Sequence, residues 1–156
     1  MVKGLRGSHE HNIDEKGRIV VPVKFREALG DHFVITLGMN KTIILCPLEY
    51  FNYIEGESRN MVMNSKFRTF FIGNASDVDV DKQGRIVIPA KLRKFALLEK
   101  ECTYVGATEY VQLWDTTRYD DYMASMDNDP DLQQELLDMN QRKRAAELEK
   151  EPANGI

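Results

Sequence analysis

The sequence predicts an α+β fold, mainly β, in which a unit of hairpin, strand and short helix occurs twice, joined by a helical linker and followed by a C-terminal helix. Three observations carry this. Residues Asp14 to Arg26 return 67 positions later as Asp81 to Arg93, with eight of thirteen positions identical. Such self-similarity is the mark of an internal duplication. The remaining apolar runs are short and bounded by turn chemistry, as strands are. Longer helical spacing of apolar residues begins only after Pro47 and after Asp129.

Within the duplicated segment each shared residue has a backbone reason. Asp14 and Asp81 open a four-residue turn, where a carboxylate accepts from amides two residues on. Gly17 and Gly84 close it, because glycine takes the left-handed conformation that a type I turn with a bulge requires. Arg18 to Val21 is rich in β-branched residues and alternates, so Ile19 and Val21 take one face and Arg18 and Val20 the other. Pro22 and Pro89 end the strand and suit the first turn of a helix. Phe25, Ala28 and Leu29 then recur at helical spacing before Gly30, a good C-cap. In copy two the corresponding helix is expected over Pro89 to Leu98.

The first strand is expected over residues 9–13, pairing across the Asp14 turn with Arg18 to Val21. His9 and His11 alternate along it with no third ligand at useful spacing, so they read as a polar face rather than a metal site. Phe33 to Leu37 and Thr42 to Cys46 form a second hairpin around Gly38 to Lys41. Leu48, Phe51 and Ile54, then Phe67, Phe70 and Phe71, mark two linker helices whose aromatics belong to the core or to subunit contacts. Copy two adds a strand before Asp81, then Arg85 to Ile88, Cys102 to Val105 and Tyr110 to Trp114. Asp129, Pro130 and Asp131 form a helix start, and Leu132, Leu136 and Met139 a thin apolar stripe that fades after Asn140. Residues 152–156 are expected to be disordered.

The chain therefore divides into repeat 1 (7–50), a helical linker (51–75), repeat 2 (76–122), and a C-terminal helix with an acidic tail (123–156). No run approaches the ~20 apolar residues of a membrane span, and the N-terminus lacks the apolar core of a signal peptide, so a cytoplasmic protein is expected. Cys46 and Cys102 lie in strand-like runs and read as buried, reduced side chains rather than a disulfide or metal site. The net charge of −4 hides an uneven distribution. Residues 127–156 hold eight acids against four bases, while Asp81 to Lys94 has five bases to one acid and Asp14 to Arg26 four to two. Basic charge gathers on the repeats.

No nucleophile with a base, no metal cluster and no phosphate-cradling loop is visible, so neither an enzyme nor a cofactor is expected. The duplication instead repeats a hairpin with a guanidinium beside it. Arginine's planar fork can bond guanine or phosphate in bidentate fashion. Arg18, Arg85, Asp14, Asp81, Lys16, Lys82, Lys24, Arg26, Lys91 and Arg93 are the candidate DNA-binding residues. The bland alternative for Asp14 and Arg18 is a simple surface ion pair, and both can hold if the acid orients the arginine. Arg142-Lys143-Arg144 reads as a solvated helix face rather than a phosphate contact. A different class of function, a scaffold or peptide-binding protein using the surface around Phe51, Phe67 and Phe71, predicts no DNA binding.

Asp-x-x-Gly-Arg-Ile-x-x-Pro-x-x-Phe/Leu-Arg in two copies, with Gly7 and His11 before the first, Phe70-Phe71 before the second and Leu113-Trp114 after it, resembles the MraZ family of bacterial transcriptional regulators. The resemblance spans residues 7–122. It implies that each copy is half of an AbrB-like swapped-hairpin, or double-split, β-barrel. It also implies a homo-oligomeric ring such as an octamer, nucleoid association, and binding of double-stranded DNA at direct repeats upstream of the operon for cell division and cell-wall synthesis, which includes the protein's own gene. The family's Asp-x-x-x-Arg signature falls on Asp14 and Arg18 and on Asp81 and Arg85. No membrane partner and no small-molecule substrate are implied.

Overall fold

The computed structural model describes residues 4–150, which fall into two compact units that divide between Tyr119 and Asp120. The elements of the first unit are β1 (Ser8–Asn12), β2 (Arg18–Val20), α1 (Val23–Leu29), β3 (His32–Leu37), β4 (Ile43–Cys46), α2 (Leu48–Ser58), a π-helical turn (Arg68–Ile72), β5 (Ser76–Asp79), β6 (Arg85–Val87), α3 (Ala90–Phe95), β7 (Glu101–Gly106) and β8 (Val111–Asp115). Helix α4 (Thr116–Ser125) follows, and α5 (Pro130–Lys150) is the main element of the second unit.

The strands make an antiparallel sheet of six in the order β1-β7-β8-β4-β3-β5, and a separate antiparallel pair, β2 with β6. The six-stranded sheet is open, with edges at β1 and β5. Three of its pairings follow the local hairpin logic or join the two closing hairpins: β3 with β4, β7 with β8, and β4 with β8. The other two, like β4 with β8, cross between copies. β1 runs against β7, with His9 opposite Tyr104, and β5 runs against β3, with Val78 opposite Phe33.

This corrects the pairing expected of residues 9–13. Asp14 N donates to Arg18 O at 3.0 Å and closes the turn, but Ile13 N turns instead to Lys100 O at 2.8 Å. β2 takes its ladder from β6, where Ile19 lies opposite Ile86. Both isoleucines are 1% exposed. The physical reason is that both copies carry the same alternation, so pairing within or between copies satisfies one strand's pattern equally. Only the cross-copy arrangement sets the two apolar faces against a common interior.

That interior holds Ile19, Val21, Phe25 and Leu29 from copy one and Ile86, Ile88, Leu92 and Ala96 from copy two, closed by Phe33, Ile35, Tyr104 and Leu113 of the large sheet. A second cluster of Val34, Ile44, Cys46, Phe51 and Phe71 lies beside it. Here the linker aromatics stack, Phe67 on Phe71 at 5.0 Å and Phe51 on Phe71 at 6.0 Å between centroids. Cys46 and Cys102 are buried, and burial pushes both thiols up to about 12. His9 and His11 do not form a polar face as the alternation suggested: both are half-buried, with His9 edge-on to Phe25 and His11 edge-on to Tyr104. Pairing of β1 with β7 is what turns them towards these rings.

Helix ends show how local chemistry differs between copies. Pro22 and Pro89 sit in extended conformation just ahead of α1 and α3, and their carbonyls accept from Phe25 N and Leu92 N at 2.9 and 3.0 Å. α1 closes at Gly30 with φ 78°, and Gly30 N donates to Arg26 O at 2.8 Å. In copy two the matching position is Leu97, which holds φ 54°. α3 accordingly ends at Phe95, short of the expected Leu98. In the second unit Asp129 caps α5 as expected, its Oδ1 accepting from Asp131 N at 2.8 Å and Leu132 N at 3.1 Å. α5 continues beyond Asn140 to Lys150, because the residues there are strong helix formers and Lys143 pairs with Glu147 one turn on at 3.9 Å. The expected disordered end, 152–156, lies outside the described residues.

A left-handed leucine costs about 1 kcal/mol that glycine does not incur. Leu97→Gly is expected to raise the unfolding free energy by that order, and Leu97→Val to lower it, as read by urea denaturation of the two variants against the parent.

Candidate nucleic-acid interface

The two turns are built alike, from the backbone outwards. Gly17 N donates to Asp14 O, and Gly84 N to Asp81 O, each at 3.0 Å. Asp14 Oδ1 accepts from Lys16 N and Arg18 N, both at 2.9 Å. Asp81 Oδ1 accepts from Gln83 N at 2.8 Å and Arg85 N at 2.9 Å. The second carboxylate oxygen then receives the arginine: Arg18 Nε donates to Asp14 Oδ2 at 2.6 Å, and Arg85 Nε to Asp81 Oδ2 at 3.0 Å. Amide donation, led by Arg18 N in one turn and Arg85 N in the other, holds both carboxyls below the usual aspartate range, and the guanidinium adds to it.

These contacts use only Nε of each guanidinium. Both Nη groups are without a protein partner among the described residues and stay available to an outside acceptor. In register, Arg18 faces Val87 and Val20 faces Arg85, so all four side chains share the face of the β2/β6 pair opposite Ile19 and Ile86. Arg18 and Arg85 are diagonal neighbours on that face, a relation of about 7–8 Å in an antiparallel pair. Val87, between them, is 54% exposed. Alternation places Val20 beside Arg18, but the register that brings Arg85 and Val87 onto the same surface was not readable from either copy alone.

Other candidates sort into two groups. Lys16 and Lys82 are exposed at the turn tips, and Lys24 and Lys91 are exposed on α1 and α3. Arg26 and Arg93 are half-buried and lie under the turns of the opposite copy. A Cβ added at Gly17 would stand 2.8 Å from Arg93 Nε, and one added at Gly84 would stand 2.8 Å from an Arg26 Nη. The backbone joins the copies at the same points: Val21 N donates to Gly84 O and Ile88 N to Gly17 O, both at 2.8 Å. Gly17 and Gly84 therefore serve both a left-handed turn, at φ 83° and 77°, and a close approach.

The strand leading into the second turn, β5, is tied to its neighbour β3, where His32 stands opposite Asp79. His32 Nδ1 meets Asp79 Oδ1 at 2.8 Å, and Nε2 lies 3.5 Å from Asp77 Oδ1. The hydrogen bond to Asp79, opposed by some desolvation and aided by both negative charges, raises the imidazole above its ordinary value.

Fold and site together define a class: a tandem-repeat β protein whose two hairpins cross-pair and present two acid-anchored arginines on one surface. Comparison with known proteins gives the particular family. The family model described as "MraZ protein, putative antitoxin-like" matches residues 5–70 and again 71–143. The transcriptional regulator MraZ of Thermoanaerobacter sp. (strain X514) is 36% identical over 141 residues, covering 87% of this chain and 99% of the relative. Those of Caldanaerobacter subterraneus subsp. tengcongensis and Acetivibrio thermocellus are each 38% identical, over 127 and 120 residues, covering 79% and 74% of this chain and 89% and 84% of the relatives. The chain belongs to the MraZ family, whose members among these relatives are named as transcriptional regulators. Among the described residues no helix is long and apolar enough to cross a membrane.

Two titrations test the geometry. Asp14 and Asp81, with depressed values, contribute stability that is complete above the ordinary aspartate midpoint and is lost as pH falls from there through the depressed values. Carboxyl-carbon NMR is expected to put both midpoints below 3.8, the ordinary value. His32 has the opposite sign: its contribution is complete below 6.5 and is lost as pH rises through its raised value. Imidazole NMR should find that midpoint above 6.5, and Asp79→Asn should bring it down.

Proposed function

We propose that this protein is a transcription regulator that binds double-stranded DNA through the β2/β6 face, with Arg18 and Arg85 as the principal contacts. The observation that carries this is the pair of guanidinium groups on one surface, each oriented by its own aspartate through Nε and each keeping its Nη groups free. An arginine held in this way forfeits little further conformational entropy on meeting guanine N7 and O6 or a phosphate. Lys16, Lys82, Lys24 and Lys91 supply the surrounding field, with Asp14 and Asp81 as orienting rather than contacting groups.

The finer reading follows the family. The exchanged strands support an interlocked swapped-hairpin arrangement in which one chain supplies both halves of a double-split barrel. A homo-oligomeric ring, such as an octamer, would present many weak interfaces in a head-to-tail series, matched to direct repeats upstream of the division and cell-wall operon and its own gene. Work of this kind belongs in the cytoplasm, at the nucleoid. The opposing idea, a scaffold that docks peptides around Phe51, Phe67 and Phe71, has less to stand on, since Phe51 and Phe71 are 6% and 7% exposed.

In a gel shift with DNA from upstream of the protein's own gene, Arg18→Ala and Arg85→Ala are each expected to weaken binding by about tenfold or more, the scale of one lost bidentate contact. Affinity is also expected to fall steeply with salt. Wild-type affinity in the double variant, with an unchanged circular dichroism spectrum, would remove this face from the function.

A further inference from the structure

We infer that Arg26 and Arg93 are positioning residues that brace each hairpin from the opposite copy, and that they do not contact phosphate. This rests on the DNA-binding reading above and assigns the two arginines a different task within it.

The connection runs through one residue, Ile88. Ile88 N donates to Gly17 O at 2.8 Å, and Ile88 O accepts from Arg93 Nε at 3.0 Å. Arg93 therefore holds the residue that grips the first turn, and its guanidinium lies against Gly17, where a Cβ would stand 3.0 Å from Cζ. Nothing larger than glycine leaves room for that plane. The first turn carries Asp14 and Arg18, so the angle at which Arg18 leaves the surface is set from the second copy.

The reverse brace is built with the same parts and is less complete. Val21 N donates to Gly84 O at 2.8 Å, and the Arg26 guanidinium packs against Gly84 with Cζ 3.0 Å from where a Cβ would be. Arg26 Nε, however, is buried and has no partner. A guanidinium packed under a turn in this way is poorly placed to reach a phosphate. Exposed Lys24 and Lys91 on the same helices are free to do so. The two hairpins thus behave as one unit, in which disturbing a helix of one copy is felt at the reading arginine of the other.

Lysine is the informative substitution, because it keeps the charge but has neither Nε in place nor a plane to lie under the glycine. In hydrogen exchange of the full chain without DNA, Arg93→Lys is expected to speed exchange at residues 14–18 and leave 81–85 unchanged. Arg26→Lys should do the reverse, and more weakly. In the gel shift, Arg93→Lys should lose several-fold in affinity while the slope of log affinity against log salt keeps its wild-type value, and Arg93→Met should also leave that slope unchanged. Faster exchange confined to a variant's own copy, or no change at either turn, would overturn the inference. So would wild-type affinity for Arg93→Lys together with a slope lowered by about one in Arg93→Met, the signature of a lost phosphate contact. If the wild-type chain bound no promoter DNA, the functional reading would fail while the exchange pattern still judged the brace.

Discussion

The pairing of β2 with β6 is the constraint on which the rest depends, because it brings Ile19 and Ile86 directly opposite each other and seals both in the interior. A three-residue strand ending at a proline has little ladder of its own, and two such strands from different parts of the chain make a marginal sheet. Burial of one face supplies what the ladder lacks. Once the isoleucines are inside, alternation leaves Arg18 and Arg85 no choice of side. The same pairing sets Gly17 beside Ile88 and Gly84 beside Val21, so turn, strand and helix of one copy close on the other.

Upon that base the aspartates perform one task in two steps. One carboxylate oxygen accepts two amides and completes the turn, and the other accepts Nε and aims the arginine. A carboxylate so occupied has little capacity left for an outside partner, which is why an acid beside each arginine need not repel an anionic ligand. Net charge misleads for a related reason. The chain carries −4, but the acid excess lies within residues 127–156, away in sequence from the basic hairpins.

Much of this was legible in residues 14–26 and 81–93. The turns, the strand break at proline, the inward isoleucines and the outward arginines all follow from backbone preferences confined to a few neighbours. The partner of each strand was not legible, because duplicated segments offer the same pattern within and between copies. That ambiguity also hid the setting of Arg26 and Arg93, which read as ordinary helix-face cations until the opposite turn is placed above them. His9 and His11 misled in the same way, since their surroundings belong to β7 and α1 and not to their own strand. The left-handed Leu97 had a signal, its equivalence to Gly30, but leucine gives no local warning of that conformation.

Short-range chemistry in the sequence determined what each repeat is: a carboxylate-closed turn, an alternating strand stopped by proline, a helix with an apolar face, and an arginine next to its acid. Tertiary structure alone decided which repeat supports which, because identical local patterns have equal local energies and only shared burial separates their combinations. The surface that joins Arg18 to Arg85, and the braces beneath it, exist because the chain chose the crossed pairing.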